Sequence, residues 1–439
     1  MHAAIAPLDA LQRERRGLYQ LAIELLAPGS PQPLDPDVID SPLARHRIGD
    51  ALAGRTRLLR STLVGISALA ATSSGTQNPR VASRPEAKAL LAEALDTVGL
   101  ELDRQQAACR QPELLTHADG ERFTSALAVL RKGVALARSA SSELIEDLLA
   151  HVALVGIIDP LRAGRLASAS PRTFPGLVLL KGPASAIEVA EALVHEGAHQ
   201  KLFDLAITRD LLNADSDRCP PFHPPWAPEE RRWPLEQALA AWHAYACLAR
   251  FAHGARVMAG QRAVGPDSLL PVANERSKLI GQWLLDNGDY LGSDAHWLLD
   301  GLIGRRPRAS RAVESWPGPA AAPVVSDYVI DTPLELRRCG SPDRVLVGRP
   351  SRPPQLYWVS DDAAVLLELL GRRPLDEVVT TFAQRWGMQR LEATHQLTTM
   401  LTDLSVSGLV TTRGTTAVGQ GHKVAKTDLQ RGVPKPQRS

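Results

Sequence analysis

The residues with the clearest chemical potential are His195, Glu196 and His199, which form the pattern His-Glu-x-x-His. Ser185 and Glu188 have the Ser-x-x-Glu spacing of a capping box, which predicts a helix that begins there and continues through the motif. Residues four apart share a helix face, so both imidazoles would point at one metal ion. Glu196 would contact a metal-bound water or an adjacent reactant. Chance placement on an exposed helix is the alternative, and the pattern favours metal binding.

A third protein ligand has to come from elsewhere, because two imidazoles alone hold a divalent ion poorly. Pro234 suits a first helical turn, and the sequence after it predicts a second helix. On that helix Glu236, His243 and Arg250 recur every seven residues and share a face. His243 is the first candidate ligand, although a satisfied core histidine is the equal alternative; Glu236 and then His223 follow. Arg250 is a candidate to clamp a carboxylate, with an ordinary surface salt bridge as the alternative.

The composition favours helices and excludes several classes of protein. The chain has 439 residues, which predicts two or three domains, and it is 44% hydrophobic but only 4% aromatic. Ala, Leu and Arg, all helix formers, dominate. The net charge is +2 with no basic stripe in the folded part, which argues against nucleic-acid binding. Four scattered cysteines, no apolar signal core and no membrane span predict a cytoplasmic protein.

The chain divides into four predicted regions. Residues 1–150 form a helical region without a readable motif, and residues 151–315 form the metal-binding catalytic domain. Within that domain the apolar run 177–180 predicts a buried strand directly upstream of the motif helix. A Pro/Gly/Ala segment at 316–323 precedes a compact unit at 327–412. The basic tail, 413–439, is predicted to be disordered.

The compact C-terminal unit predicts a winged-helix-like order of elements. Two short strands, 344–347 and 355–360, precede three helices. Ser360 or Asp361 caps the first helix, Pro374 opens the second, and the third ends at Gly408. This order raises DNA binding as a possibility. The third helix carries Arg390 as its one basic residue, however, which argues against a major-groove role.

The region around the motif resembles HExxH-motif proteins of peptide-modification clusters, in particular the 2-oxoglutarate-dependent HExxH-type peptide beta-hydroxylases. The resemblance covers about 150–305 and rests on the segments 192–202, 224–226, 231–235 and 243–246. It implies Fe(II), with 2-oxoglutarate and O₂ as co-substrates, and hydroxylation of a side-chain beta-carbon in a ribosomally made peptide.

The implied iron site departs from the usual pattern. His195, His199 and His243 would form an all-histidine set in place of two histidines and one carboxylate, unless Glu236 or another acid is the third ligand. In an oxygenase Glu196 would orient a ligand or the substrate, whereas in a zinc peptidase it would be the general base.

The C-terminal unit resembles the RiPP recognition element, a leader-peptide-binding module similar to the pyrroloquinoline quinone peptide chaperone. The matching segments are 357–364, 369–371, 375–379 and 401–410. The resemblance implies that a leader peptide adds to an edge strand and fills a groove beside the third helix. The predicted binding residues are Leu356, Tyr357, Trp358, Leu397 and Leu401, the last two of which are also candidates for the core.

The sequence therefore predicts a mainly α protein: a helical zincin-like HExxH metal domain with a few short strands, plus a small winged-helix-like α+β C-terminal domain. The expected function is Fe(II)/2-oxoglutarate-dependent hydroxylation of a precursor peptide, with its leader bound by the C-terminal domain. The alternatives are a zinc-dependent peptide hydrolase and an inactive leader-binding scaffold. The expected partner is the precursor peptide, leader and core, with neither nucleic acid nor membrane.

Overall fold

The computed structural model describes residues 8–27, 33–70, 79–103, 112–163, 166–183, 185–213, 215–228, 230–259, 268–303, 328–330, 333–338, 344–350 and 354–412. These residues form the helices α1 (Leu8–Leu26), α2 (Pro36–Ile39), α3 (Pro42–Leu52), α4 (Arg60–Ala70), α5 (Glu86–Leu90), α6 (Ala92–Asp103), α7 (Glu121–Leu149), α8 (Ala186–Thr208), α9 (Leu235–Ala259), α10 (Ala273–Asp286), α11 (Ser293–Ile303), α12 (Asp361–Leu370), α13 (Leu375–Trp386) and α14 (Arg390–Val406). The strands are β1 (Arg80–Val81), β2 (Leu154–Ile158), β3 (Ser168–Ala169), β4 (Leu177–Lys181), β5 (Tyr328–Val329), β6 (Glu335–Arg338), β7 (Arg344–Arg349), β8 (Gln355–Ser360) and β9 (Thr411–Thr412). The prediction of a mainly α protein with a few short strands is confirmed.

Two compact units make up the chain. The first contains 1–317 and 334–361, and the second contains 318–333 and 362–439. The predicted linker at 316–323 and the predicted disordered tail at 413–439 lie outside the described residues. The predicted domain boundaries stay predictions. None of the helices formed by the described residues is both long enough and apolar enough to cross a membrane.

A four-stranded sheet in the first unit leads directly into the motif helix. Its order is β1-β2-β4-β3, with β1, β2 and β4 parallel and β3 antiparallel at the edge beside β4. The apolar residues of β2 and β4 are buried, as expected for parallel strands covered on both faces. After β4 the chain turns into α8, where the Ser185 hydroxyl accepts the Glu188 N–H at 3.4 Å. The predicted strand and the predicted start of the motif helix are both confirmed.

Helix α8 packs closely against α7, and two glycines make this approach possible. A Cβ added to Gly133 of α7 would lie 2.3 Å from Val189 of α8, closer than any real side-chain contact. A Cβ added to Gly197, within the motif, would lie 3.1 Å from Leu148 Cβ. Small residues therefore set the distance between the two helices, which fixes the position of the motif relative to α7.

The C-terminal half of α8 buries polar side chains that hold it in place. Gln200 accepts the Gly176 N–H at 2.6 Å and donates to the Leu177 carbonyl at 2.7 Å, which ties α8 to the first residues of β4. The Lys201 ammonium lies 2.6 Å from the carboxylate of Asp147 on α7, and the lysine side chain is fully buried. Each of these bonds links the motif helix to a neighbouring element.

One turn later, Asp204 is the centre of a buried ionic network. It accepts hydrogen bonds from Arg15 of α1 and from His151 Nδ1, the latter at 2.5 Å. The Arg15 guanidinium also pairs with the Asp40 carboxylate, at 2.8 Å. Burial alone would raise the pKa of Asp204, but Arg15 and His151 hold it well below its usual range. The carboxylate therefore stays charged and anchors the end of α8 to α1.

A second sheet, β6-β7-β8, is antiparallel throughout and packs against α1 in the first unit. Leu346 of β7 and Leu21 of α1 are both buried in this contact. The Trp358 indole N–H donates to the Ile207 carbonyl at the end of α8, at 2.6 Å. The two strands predicted at 344–347 and 355–360 are confirmed, and β6 is an additional strand.

The second unit contains the three predicted C-terminal helices. Pro374 precedes α13, which ends at Gly387 with φ 65°, and Gly408 with φ 71° follows α14. The positive φ values explain why glycine stands at both ends. Strands β5 and β9 pair antiparallel within the same unit. The predicted order and bounds of these helices are confirmed.

The Lys201 to Asp147 pair yields a stability prediction. Lys201→Met leaves a carboxylate buried without its cation, and we expect the free energy of unfolding to fall by about 3–5 kcal/mol. The double variant Lys201→Met/Asp147→Leu should regain most of this loss, because neither charge remains. Urea denaturation measures both, with the exposed Lys278→Met as the control. A double variant as unstable as the single one would show that lost packing is the cause.

Candidate metal centre

His195 and His199 converge on one point beside the N-terminal half of α8. Their Nε2 atoms are 3.2 Å apart, which matches the separation of about 3.3 Å expected for two nitrogens each about 2.05 Å from a tetrahedral ion. The His199 ring stacks on Phe203, and both histidines are half-buried. Burial, together with His195, lowers the pKa of His199 to about 4. The imidazole is therefore neutral at pH 7, which is the form that binds a metal.

The two Nε2 atoms face each other, so without a cation they can share only one N–H between them. A metal ion between the rings accepts both lone pairs at once. The geometry of the pair therefore fits a bound divalent ion, as the motif predicts.

The Glu196 carboxylate is held by Ser168 of the edge strand β3 and by Ser170 just after that strand. Ser168 donates to Oε1 at 2.6 Å and Ser170 donates to Oε2 at 2.5 Å, and Glu196 is 4% exposed. Both oxygens are therefore engaged by hydroxyl groups. The sequence analysis missed these serines, although their spacing of two, just upstream of a buried strand, places them on one face of an extended segment.

The structure gives His243 partners other than the motif histidines. It is fully buried, with Nδ1 3.0 Å from the Ala198 carbonyl and Nε2 4.0 Å from Cys247 Sγ. Among the described residues, no third His, Cys, Asp or Glu ligand atom lies within 4.8 Å of the ligand atoms of both His195 and His199. His243 therefore does not complete the site in this arrangement, where it ties α9 to the backbone of the motif helix. Burial raises the pKa of the Cys247 thiol to about 12.

The other predicted site residues also have different contacts. Glu236 is exposed and pairs with Arg172 at 3.2 Å, and His223 contacts Arg232. Arg250 donates to the carbonyls of Gly301 and Leu302 near the end of α11, at 3.3 and 3.4 Å. Arg250 also lines a surface depression, together with Trp242, His253, Glu275 and Lys278, whose lining includes neither motif histidine. The described hydrogen bonds and ion pairs do not connect these residues to the histidine pair.

A separate cluster has the composition of a metal site. His46 Nε2 lies 3.1 Å from Glu93 and 3.4 Å from Asp50. Arg55 binds Asp50 at 2.7 Å, and Arg47 lies 3.9 Å from both carboxylates. The two arginines already balance the two acids, so a further cation would gain little attraction. We assign this cluster to an ionic network that joins α3 to α6.

Tyr245 lies next to His195 and Arg276 contacts Tyr245, and the sequence analysis assigned neither residue a role. The Tyr245 ring centroid is 6.3 Å from that of His195. Arg276 NH1 donates to the Tyr245 hydroxyl at 2.8 Å. Trp226, from the loop before α9, packs 6.2 Å from the Tyr245 ring. The segments that carry the family resemblance contain Trp226 and Tyr245, which was the available signal, whereas Arg276 lies outside all of them.

The predicted leader-binding residues fall in both units. In the first unit, Leu356 packs near Leu21, Trp358 bonds to Ile207, and the Tyr357 hydroxyl donates to Gln355 at 2.7 Å. In the second unit, Leu397 and Leu401 of α14 are 1% and 0% exposed. Those two leucines therefore have the burial of core residues.

The chain matches no protein-family model, and no curated protein matches it.

The histidine pair gives a direct prediction about metal binding. His195→Ala and His199→Ala should each weaken the binding of a divalent ion by more than about 100-fold, since removing a ligand exceeds the 10- to 100-fold effect of losing a supporting residue. Metal content after dialysis, followed by titration with zinc, measures the loss. His243→Asn should keep the ion, because an amide can replace Nδ1 at the Ala198 carbonyl.

The exposed His253→Ala is the control for general effects of removing a histidine. Loss of the ion in His243→Asn, with the fold intact by circular dichroism, would instead make His243 a ligand. Retention of the ion in both alanine variants of the motif would contradict the site.

Proposed function

We propose that this chain is an Fe(II)/2-oxoglutarate-dependent enzyme that hydroxylates a side-chain beta-carbon in a ribosomal precursor peptide. The observation that carries the proposal is the convergent histidine pair combined with a glutamate whose two oxygens are both engaged by Ser168 and Ser170. A hydrolase uses this glutamate as a general base for water, and each hydroxyl bond leaves one lone pair fewer for that water. Held by two hydroxyls, Glu196 is better suited to orient α8 and the ligands on it.

His195 and His199 would hold the ion. When bound, Fe(II) supplies activation of O₂, with 2-oxoglutarate as co-reductant that leaves as succinate and carbon dioxide. Glu196 adds negative charge beside His199, which favours a cation at the pair. The sequence predicted His243 first and Glu236 second as the third protein ligand, and in this structure both have other partners. Either would have to leave its present partner in order to reach the ion.

A zinc-dependent peptide hydrolase is the second candidate, and the edge strand β3 is the observation that favours it. An antiparallel edge strand beside an HExxH helix is a zincin-like arrangement, and its outer edge can pair with an extended peptide. The same strand and the residue after it, however, supply the two serines that engage Glu196. This is the feature that ranks the oxygenase first.

Peptide recruitment is the second part of the proposal. Strand β8 pairs with β7 on one side, and the described strands place no partner on its other side. An extended leader can therefore add as a further strand, as in a winged-helix-like RiPP recognition element. Because β8 and the histidine pair belong to the same compact unit, a bound leader raises the local concentration of the core peptide at the metal.

Product analysis distinguishes the two chemistries. Anaerobically purified protein given Fe(II), 2-oxoglutarate, O₂ and the precursor peptide should add one oxygen atom to the peptide and form one succinate per oxygen added. Glu196→Gln should retain part of this activity, because the amide can still bond to both serines and no base is lost. Peptide cleavage with zinc alone, abolished in Glu196→Gln, would establish the hydrolase instead. No product under either condition would favour the scaffold.

Strand addition at β8 predicts a pattern in the peptide. N-methylation of single leader amides should weaken binding about 10-fold at every second residue. Each such methyl group removes one hydrogen bond between the leader and β8, and leaves a carbonyl of β8 unpaired. Fluorescence anisotropy of labelled precursor measures the affinity, with N-methylation in the core peptide as the control. Equal effects at all leader positions, or none, would contradict binding as an added strand.

A further inference from the structure

Arg276 of α10 is a cation held between two aromatic rings. Its guanidinium carbon lies 4.6 Å from the Trp226 ring centroid and 5.4 Å from the Tyr245 ring centroid. One of its N–H groups donates to the Tyr245 hydroxyl at 2.8 Å. Stacking and this hydrogen bond fix the plane of the guanidinium, so its other N–H donors keep a defined direction.

Three buried or half-buried arginines of the first unit bind carboxylates, whereas the half-buried Arg250 bonds to backbone carbonyls. Arg15 and Arg45 both bind the carboxylate of Asp40, and Arg209 binds Glu14. Arg276 has no carboxylate partner among the residues that the structure describes. Arg276 is half-buried, and its described contacts are the two rings and the Tyr245 hydroxyl. A guanidinium held in this way without a carboxylate can receive an anion from outside the chain.

The position of Arg276 connects this anion to the metal centre. Tyr245 bridges the two, because its ring packs 6.3 Å from His195 and its hydroxyl accepts from Arg276. Tyr245 is 7% exposed and therefore has a fixed position. A ligand that reaches the ion can thus extend along Tyr245 to the guanidinium. Arg250, the candidate from the sequence, instead bonds to backbone carbonyls of α11.

We propose that Arg276 and the Tyr245 hydroxyl form a carboxylate-binding site that positions a ligand at the His195/His199 centre. A planar guanidinium matches the two oxygens of a carboxylate. The Tyr245 O–H can add a third donor while its oxygen accepts from Arg276. If the proposed function is correct, the ligand is the distal carboxylate of 2-oxoglutarate. A carboxylate of the peptide substrate is the other source of the same chemistry.

Binding to the zinc-loaded full chain, measured by calorimetry without turnover, tests the site. Arg276→Gln should weaken 2-oxoglutarate binding about 10- to 100-fold, the loss expected for hydrogen bonds to a charged group. Arg276→Lys should regain only part of the affinity, because a point charge replaces the fork. Tyr245→Phe, which keeps the ring, should weaken binding by a smaller factor. Lys278→Gln, an exposed cation on the same helix, is the matched control.

A second probe isolates the distal carboxylate. 2-Oxopentanoate has the same chain without that group, so the wild type should bind it more weakly and Arg276→Gln should bind it no worse than the wild type does. Zinc content and the thermal midpoint should be unchanged in every variant. A loss of affinity that is equal for both oxo acids would overturn the site, since Arg276 would then act only through folding.

The remaining arm separates this inference from the proposed function. If the wild type does not bind 2-oxoglutarate, the oxygenase proposal fails, and precursor peptides with a free or an amidated C-terminus, or with single acids replaced by amides, are titrated instead. If the wild type binds one amidated peptide more weakly than the free acid, and Arg276→Gln binds both equally, the carboxylate site is supported with the peptide as its source. If Arg276→Gln binds every carboxylate ligand as tightly as the wild type does, Arg276 is only a structural contact between Trp226 and Tyr245, and the proposal is overturned.

Discussion

The position of the two motif histidines depends on the buried ion pairs one and two turns further along α8. The C-terminal half of this helix is covered by neighbouring elements, so its charged side chains Lys201 and Asp204 have no access to water. A buried charge without a partner costs several kcal/mol. Lys201 must therefore meet Asp147, and Asp204 must meet Arg15 and His151, for the helix to occupy this place at all. Any sliding or rotation of α8 would break these bonds, so they set the direction of the imidazoles.

This constraint gives a physical meaning to the residues that follow the motif. Gln200 and Lys201 belong to the segment on which the family resemblance rests, yet neither is directed at chemistry. Gln200 satisfies the backbone where β4 begins, and Lys201 pairs with α7. The bonds specify which elements surround α8. A longer sequence signature around HExxH can therefore report a shared scaffold as much as a shared reaction.

The elements of this fold were predictable from sequence wherever a local rule decides them. Ser185 caps α8, Gly408 follows α14, and the apolar run 177–180 is a strand, because each depends on neighbours in the chain. The site was predictable only as far as one helix extends. The i, i+4 spacing placed His195 and His199 together, but the period of seven on α9 could not say whether His243 faces the ion or the backbone of α8. That choice depends on how the two helices are rotated against each other.

The residues that sequence reasoning missed are those brought in by tertiary structure. Ser168 of the edge strand and Ser170 just after it reach Glu196, and Arg276 reaches Tyr245 from a third helix. Both contacts bear on the chemistry that the motif alone suggests. Each serine hydroxyl occupies a lone pair of the Glu196 carboxylate that a hydrolase would offer to water. Arg276 has no carboxylate partner among the described residues, and it bonds to Tyr245, whose ring centroid lies 6.3 Å from that of His195. An engaged acid and an available cation are the features on which the proposed oxygenase depends, because a 2-oxo acid is an anionic co-substrate.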